Sequence, residues 1–149
     1  KNCIMKELPT FLKAHKYKGI KFKFLKTQHL LIKVKVNGVA GNFILDTGAS
    51  NTCIGLESIE KYRLEVRDYE SFAASASSTT MHAKISKGNY LQIGSWKQLP
   101  ATFILFDLSH VNEALSQQKI KPVDGIIGAD VLLKGNAIID YPNLCLYLL

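Results

Sequence analysis

The chain is poor in the residues that would make several chemistries easy. Three cysteines stand among its 149 residues, at Cys3, Cys53 and Cys145, an odd number without close pairing and without a Cys-x-x-Cys, so a disulfide framework is not expected. The four histidines, His15, His29, His82 and His110, are scattered and show no His-Glu-x-x-His or comparable ligand spacing. A structural metal would need ligands gathered from distant segments, and no metal or other cofactor is expected. No apolar run approaches the roughly 18 residues that cross a bilayer, and no charged-then-apolar leader precedes the rest. A cytoplasmic location is weakly favoured over a membrane one. Acidic residues are outnumbered, 12 against 19 basic ones, giving a net charge of +7.

Such a balance raises nucleic acid as a partner, because clustered cations displace phosphate counterions. The distribution argues against it. Lysines gather in the first third, at Lys13, Lys16, Lys18, Lys21, Lys23, Lys26, Lys33 and Lys35, and several alternate with apolar residues as the wet side of strands does. A solvated face is the better reading, so neither nucleic acid nor membrane is expected as a partner. With 47% hydrophobic and 21% charged residues, the composition is that of an ordinary globular domain, and the length is that of one.

Leu8, Phe11, Leu12 and His15 recur at helical spacing, with Pro9 suited to a first turn and Gly19 placed to end the segment. Ile20, Phe22 and Phe24 alternate with Lys21 and Lys23 as a half-buried strand does. Asn37-Gly38 between the apolar runs 30–36 and 39–45 is a strong hairpin signal. Downstream, residues 56–61 suit a short helical or irregular connection. Residues 90–93 and 101–106 read as strands, with a Gly94-Ser95 turn and a break or edge at Pro100. Ser109 can cap a helix running to about Lys119, with Val111, Ala114 and Leu115 inward and Pro122 beyond its end. Many short strands without strand-helix alternation predict a mostly β closed sheet or barrel with one or two short helices and an N-terminal helical extension.

The stretch richest in chemistry is Phe43-Ile44-Leu45-Asp46-Thr47-Gly48-Ala49-Ser50. Apolar residues deliver one carboxylate into a turn of small residues, where backbone can come close to whatever lies above it. Alone, Asp-Thr-Gly is a weak signal, since a strand-end Asp is commonly a turn former. Two further segments follow in order: Val123-Asp124-Gly125-Ile126-Ile127-Gly128-Ala129-Asp130-Val131-Leu132, then Ala137-Ile138-Ile139-Asp140-Tyr141 with Leu144-Cys145-Leu146-Tyr147-Leu148.

This ordered trio resembles the retropepsin-like aspartic proteases, single-domain relatives of pepsin that include retroviral proteases and many bacterial proteins. The match lies at residues 44–50 and 126–132, and the resemblance covers residues 29–149, leaving residues 1–28 as an N-terminal extension. One departure is Ala129, where retroviral members often carry Arg. The resemblance implies a closed β-barrel of the retropepsin fold and an aspartic endopeptidase with Asp46 as the catalytic acid. It further implies that Thr47 and Gly48 support the site, and that Gly48, Ala49 and Ser50 offer backbone to an extended peptide or protein substrate.

Two carboxylates are needed for this chemistry, one ionised to activate water and one protonated to donate, a division that follows because like charges so close do not both ionise. The chain carries one Asp-Thr-Gly, so a homodimer is expected, its two-fold axis bringing two copies of Asp46 together. Asp124, Asp130, Asp140 and Asp107 lack the Thr-Gly context and are read as capping or turn residues. Residues 71–80, small and polar, read either as a low-complexity loop or, by order of elements, as the flap over the substrate. Two other functions compete. The same fold can serve as a non-catalytic peptide-binding or dimerisation module, and Asp46 can be a nucleophile toward phosphate. The latter usually has a second acid two residues on, where Gly48 stands here.

Overall fold

The computed structural model describes residues 3–68 and 84–149. The stretch 71–80, read above as loop or flap, lies outside the described residues. Among the described residues, three α-helices and eleven strands follow in chain order. Helix α1 spans Cys3–Ala14, with Pro9 inside it rather than in its first turn. Strands β1 (Lys18–Lys21) and β2 (Lys23–Phe24) come next, then β3 (Leu30–Val36) and β4 (Val39–Leu45). These two form the expected hairpin. Asn37 and Gly38 both take positive φ, 51° and 84°, the geometry that the Asn-Gly pair favours in a two-residue turn.

Strand β5 (Cys53–Gly55) leads into a 3-10 turn at Leu56–Ser58 and the short β6 (Arg67–Asp68). Long strands β7 (Lys84–Ile93) and β8 (Trp96–Phe106) meet at a Gly94 turn. Pro100 does not end a strand as expected. It lies inside β8 after a cis peptide bond, opposite a stretch of β7 whose register shifts between Ser86 and Leu91. The pairing gives way locally where proline has no N–H to offer.

Helix α2 (Ser109–Gln117) starts without help from the Ser109 side chain. Instead the Asp107 carboxylate accepts the Ser109 N–H at 2.9 Å, the turn role expected of that acid. Leu115 is buried as expected, whereas Ala114 is exposed. Strand β9 (Gly125–Ile127), helix α3 (Ala129–Lys134) and strands β10 (Ile138–Asp140) and β11 (Cys145–Leu148) complete the chain.

The larger sheet runs β2-β3-β4-β9-β5-β8-β7-β6, and an extra β3–β7 pairing closes six of these strands into a barrel. The core fills it. Ile32, Val34, Phe43, Leu91, Phe103 and Ile127 are among the residues buried inside. Alternation explains this on β3, where Ile32, Val34 and Val36 point in while Lys33 and Lys35 stay wet. The lysines from Lys13 to Lys35 are all exposed. Chain closure places β4 parallel to β9, pairing Leu45 with Ile127.

A second sheet, β1-β11-β10, lies outside the barrel. It corrects the expectation of one strand from Ile20 to Phe24. The chain turns at Phe22, whose side chain is 4% exposed in the barrel core. Residues 18–21 pair with β11 while residues 23–24 pair with β3. Leu12 of α1 packs with Cys145 and Tyr147 beneath the second sheet. Residues 3–28 are thus bound to both sheets of the fold.

Candidate functional site

Asp46 follows directly on β4, and its position is set from β9. Its N–H donates to Ile127 O at 3.0 Å, extending the parallel β4–β9 ladder by one bond. The chain then turns sharply. Gly48 N–H donates to Asp46 Oδ1 at 2.8 Å and Ala49 N–H to Asp46 O at 3.2 Å. One carboxylate oxygen is thereby held by its own turn, while the side chain remains exposed at the surface. Thr47, Gly48 and Ser50 are exposed beside it and Ala49 is half-buried. The five residues singled out from the sequence therefore form one loop at the surface.

The loop is anchored at its far end by the segment that opens α3. Ala129 N–H donates to Ala49 O at 2.7 Å. Gly128 N–H donates to Thr52 Oγ1 at 2.9 Å, and Thr52 gives both its hydroxyl, at 2.8 Å, and its N–H, at 2.9 Å, to Asp130 Oδ1. Gly128 fits so closely that a Cβ there would lie 2.7 Å from Ala49 O and 2.8 Å from Asn51 O. The distal Ile-Ile-Gly is thus the rear wall of the Asp46 loop. Asp130, expected to orient a turn, does so by receiving Thr52. Thr52 itself was missed, and its only signal was a threonine set just after the small-residue run.

Cys53 follows, half-buried. Burial above all, with the negative charges of Asp130 and Asp46 as smaller causes, pushes its thiol from 9.0 up to about 11. Such a thiol stays protonated at neutral pH and serves in packing. Cys53 and Cys145 are free thiols. Among the described residues, no group of three or more histidine, cysteine or carboxylate side chains is arranged to hold a metal ion, and no helix is long and apolar enough to cross a membrane.

Asp124 does not join Asp46. It sits three residues before Ile127, about 10 Å along the strand direction, and belongs to a second cluster. Its carboxylate receives the Tyr62 hydroxyl, the Lys61 ammonium at 2.6 Å and the Ser58 hydroxyl at 3.2 Å. Burial, then the Asp124 hydrogen bond, holds the Tyr62 phenol above its ordinary 10.0. The cluster fastens the 3-10 turn region to the start of β9 and escaped the sequence reading. Asp140, 4% exposed, is a strand-end structural acid, accepting the Asn143 N–H and side-chain amide at 3.2 and 2.7 Å.

An apolar groove of about 310 Å³ opens beside the Asp46 loop, lined by Thr47, Leu132, Leu133, Asn136, Ala137 and Ile139. It joins the loop to α3 and to β10, which lies at the edge of its three-stranded sheet.

The aspartyl protease family's sequence profile matches residues 32–131, 100 of the 149 residues, a span running from the hairpin through the Asp46 loop to α3. The chain belongs to the aspartyl protease family. Solved structures agree on the fold. A retropepsin-like aspartic protease from Rickettsia conorii is 19% identical with a TM-score of 0.57, over 89% of this chain and 90% of that one. The retroviral protease-like domain of Ddi1 from Leishmania major is 19% identical with a TM-score of 0.54, over 80% and 87%. The EIAV protease, in complex with an inhibitor, is 15% identical with a TM-score of 0.50, over 74% and 91%. Among proteins of curated function none matches the sequence. The family's retropepsin-like barrel is therefore the fold of this chain, as its motifs led one to expect.

Proposed function

We propose that this member of the aspartyl protease family is an aspartic endopeptidase that works as a homodimer, with Asp46 from each copy forming the catalytic pair. The observation carrying this reading is that Asp46 stands exposed on a loop anchored from behind by the Ile127–Asp130 segment. That is a carboxylate positioned for a partner outside its own chain. Burying a fixed carboxylate of this kind against its symmetry mate forces the two to share a proton.

In the dimer, the ionised Asp46 takes a proton from a water lying between the two carboxylates. The water oxygen attacks the peptide carbonyl carbon as the protonated Asp46 donates to the carbonyl oxygen, giving a gem-diol. Proton transfer to the leaving nitrogen then breaks the C–N bond, with no covalent enzyme intermediate. Gly48, Ala49 and Ser50 present backbone to an extended peptide, in the manner of an added strand. Thr47 reaches across the axis and locks the two loops.

The seam follows from the groove. Thr47 and Ile139 line it together, so a two-fold axis near Thr47 brings β10 toward its own copy. Strand β11 already has β1 on one side and β10 on the other, and of the two edge strands β10 is the one that lines the groove with Thr47. Leu133, 77% exposed on α3, is then covered. A two-fold seam of this kind is isologous and needs no additional sequence.

The test is cleavage of an unstructured peptide library across mildly acidic to neutral pH by the native chain and by Asp46→Asn, with dimer mass recorded for both. Cuts that fall at least 10³-fold in the variant while its mass is unchanged support the reading. Equal cleavage by both proteins refutes the role of Asp46. A native dimer that binds peptides and cleaves none would instead fit a non-catalytic binding module.

A further inference from the structure

We propose that Asp130 is a positioning residue of the Asp46 loop, its carboxylate acting through Thr52. The inference rests on the peptidase reading of Asp46 but on separate atoms. Thr52, 0% exposed, has one hydroxyl proton and gives it to Asp130 Oδ1 at 2.8 Å, while its oxygen receives the Gly128 N–H at 2.9 Å. The relay therefore has one direction, from Gly128 through Thr52 to the carboxylate, and it ends on an acceptor that the Thr52 N–H also uses, at 2.9 Å. A buried hydroxyl in such a chain keeps one orientation only while the terminal acceptor is present. Remove it, and Thr52 and Gly128 lose their shared geometry at the point where Ala129 grips Ala49.

The experiment compares the native chain with Asp130→Asn, Asp130→Ala and Thr52→Val. Two readouts are taken: kcat and KM of peptide cleavage, and hydrogen exchange of the Gly128 amide. Asparagine keeps an oxygen for Thr52. It is expected to hold kcat within about threefold and to keep the Gly128 protection. Asp130→Ala and Thr52→Val are expected to lower kcat at least tenfold with KM little changed, and to lose Gly128 protection.

Full kcat with intact Gly128 protection in Asp130→Ala overturns the proposal. Should Asp130→Ala fail to fold, Thr52→Val decides it. Absence of cleavage by the native chain counts against the peptidase reading, and the exchange data still decide the role of Asp130.

Discussion

The Tyr62 hydroxyl occupies the space that a side chain on Gly41 would need. A Cβ built on Gly41 collides with that hydroxyl and lies 2.5 Å from Asp124 Oδ2, so the glycine of β4 exists to admit the Tyr62–Asp124 hydrogen bond into the barrel wall. Gly41→Ala is expected to lower stability by about 2–4 kcal/mol, the cost of overpacking a buried site and breaking its polar contact. The urea midpoint measures it. Adding Tyr62→Phe, which removes the clashing oxygen, should recover part of the loss, and strict additivity of the two changes would refute the steric account.

Alkaline pH tests the same region. The folded chain holds Tyr62 above its ordinary 10.0, Tyr147 up at about 12 from 10.0, and Cys53 up at about 11 from 9.0, in each case chiefly by burial. The unfolded chain gives up these protons first as pH rises, so the native state holds more protons and stability falls with pH. The contribution is fully present below about pH 9, begins to fall with Cys53 and steepens above pH 10 with the two tyrosines. Urea unfolding at pH 8 and 10.5 should show the drop, and Tyr62→Phe should flatten its upper part. Identical stability at the two values would contradict the assignment.

Leu133 tests the seam. In the isolated chain it is 77% exposed on α3 and contributes little to folding, so Leu133→Glu should leave the midpoint of the monomer within about 0.5 kcal/mol of native stability. Two glutamates facing one another across a two-fold axis repel, and dimer affinity should weaken at least tenfold by sedimentation equilibrium. Unchanged affinity would move the seam elsewhere.

Gly128→Ala addresses the anchor of the Asp46 loop. The new methyl must displace Ala49 O and Asn51 O, both within 2.8 Å, and the displaced atoms are backbone of the Asp46 loop. Peptide cleavage is expected to fall at least 100-fold, since small misplacements of a catalytic group are costly. Gly38→Ala is the matched control. Nothing lies within 4 Å of its Cβ position, but its φ of +84° makes alanine strained by about 1 kcal/mol. That variant should lose some stability and keep its cleavage rate.

The parts of this fold legible in the sequence were those whose cause is local. Asn37-Gly38 sets its own turn, and the alternation of Ile32, Val34 and Val36 with lysines names the inner face of β3 without reference to any other strand. The Asp46 loop could be found because apolar residues and glycine bracket the acid within eight positions. What escaped depends on partners far along the chain. Asp124 meets Tyr62 and Lys61 across 62 and 63 residues, and Asp130 meets Thr52 across 78. Spacing carries no trace of such pairs. The division of residues 18–24 between two sheets has the same origin, since β11 and β3 compete for neighbouring pieces of one alternating run and Phe22 turns the chain between them. Pro100 inside β8 shows the reverse case, a strong local signal overridden by the long pairing with β7.

Strand β1 pairs Lys18 with Leu148, residues 130 positions apart. During synthesis, β1 leaves the ribosome early and has no strand to join until β11 has been made. Loop closure over so long an interval is slow compared with hairpin formation, so β3 and β4 are in place well before the outer sheet. The β10 edge proposed to meet the second copy belongs to that late-forming sheet. On the reading proposed above, the seam that brings two copies of Asp46 together is therefore assembled only after β11 has paired with β1 and β10.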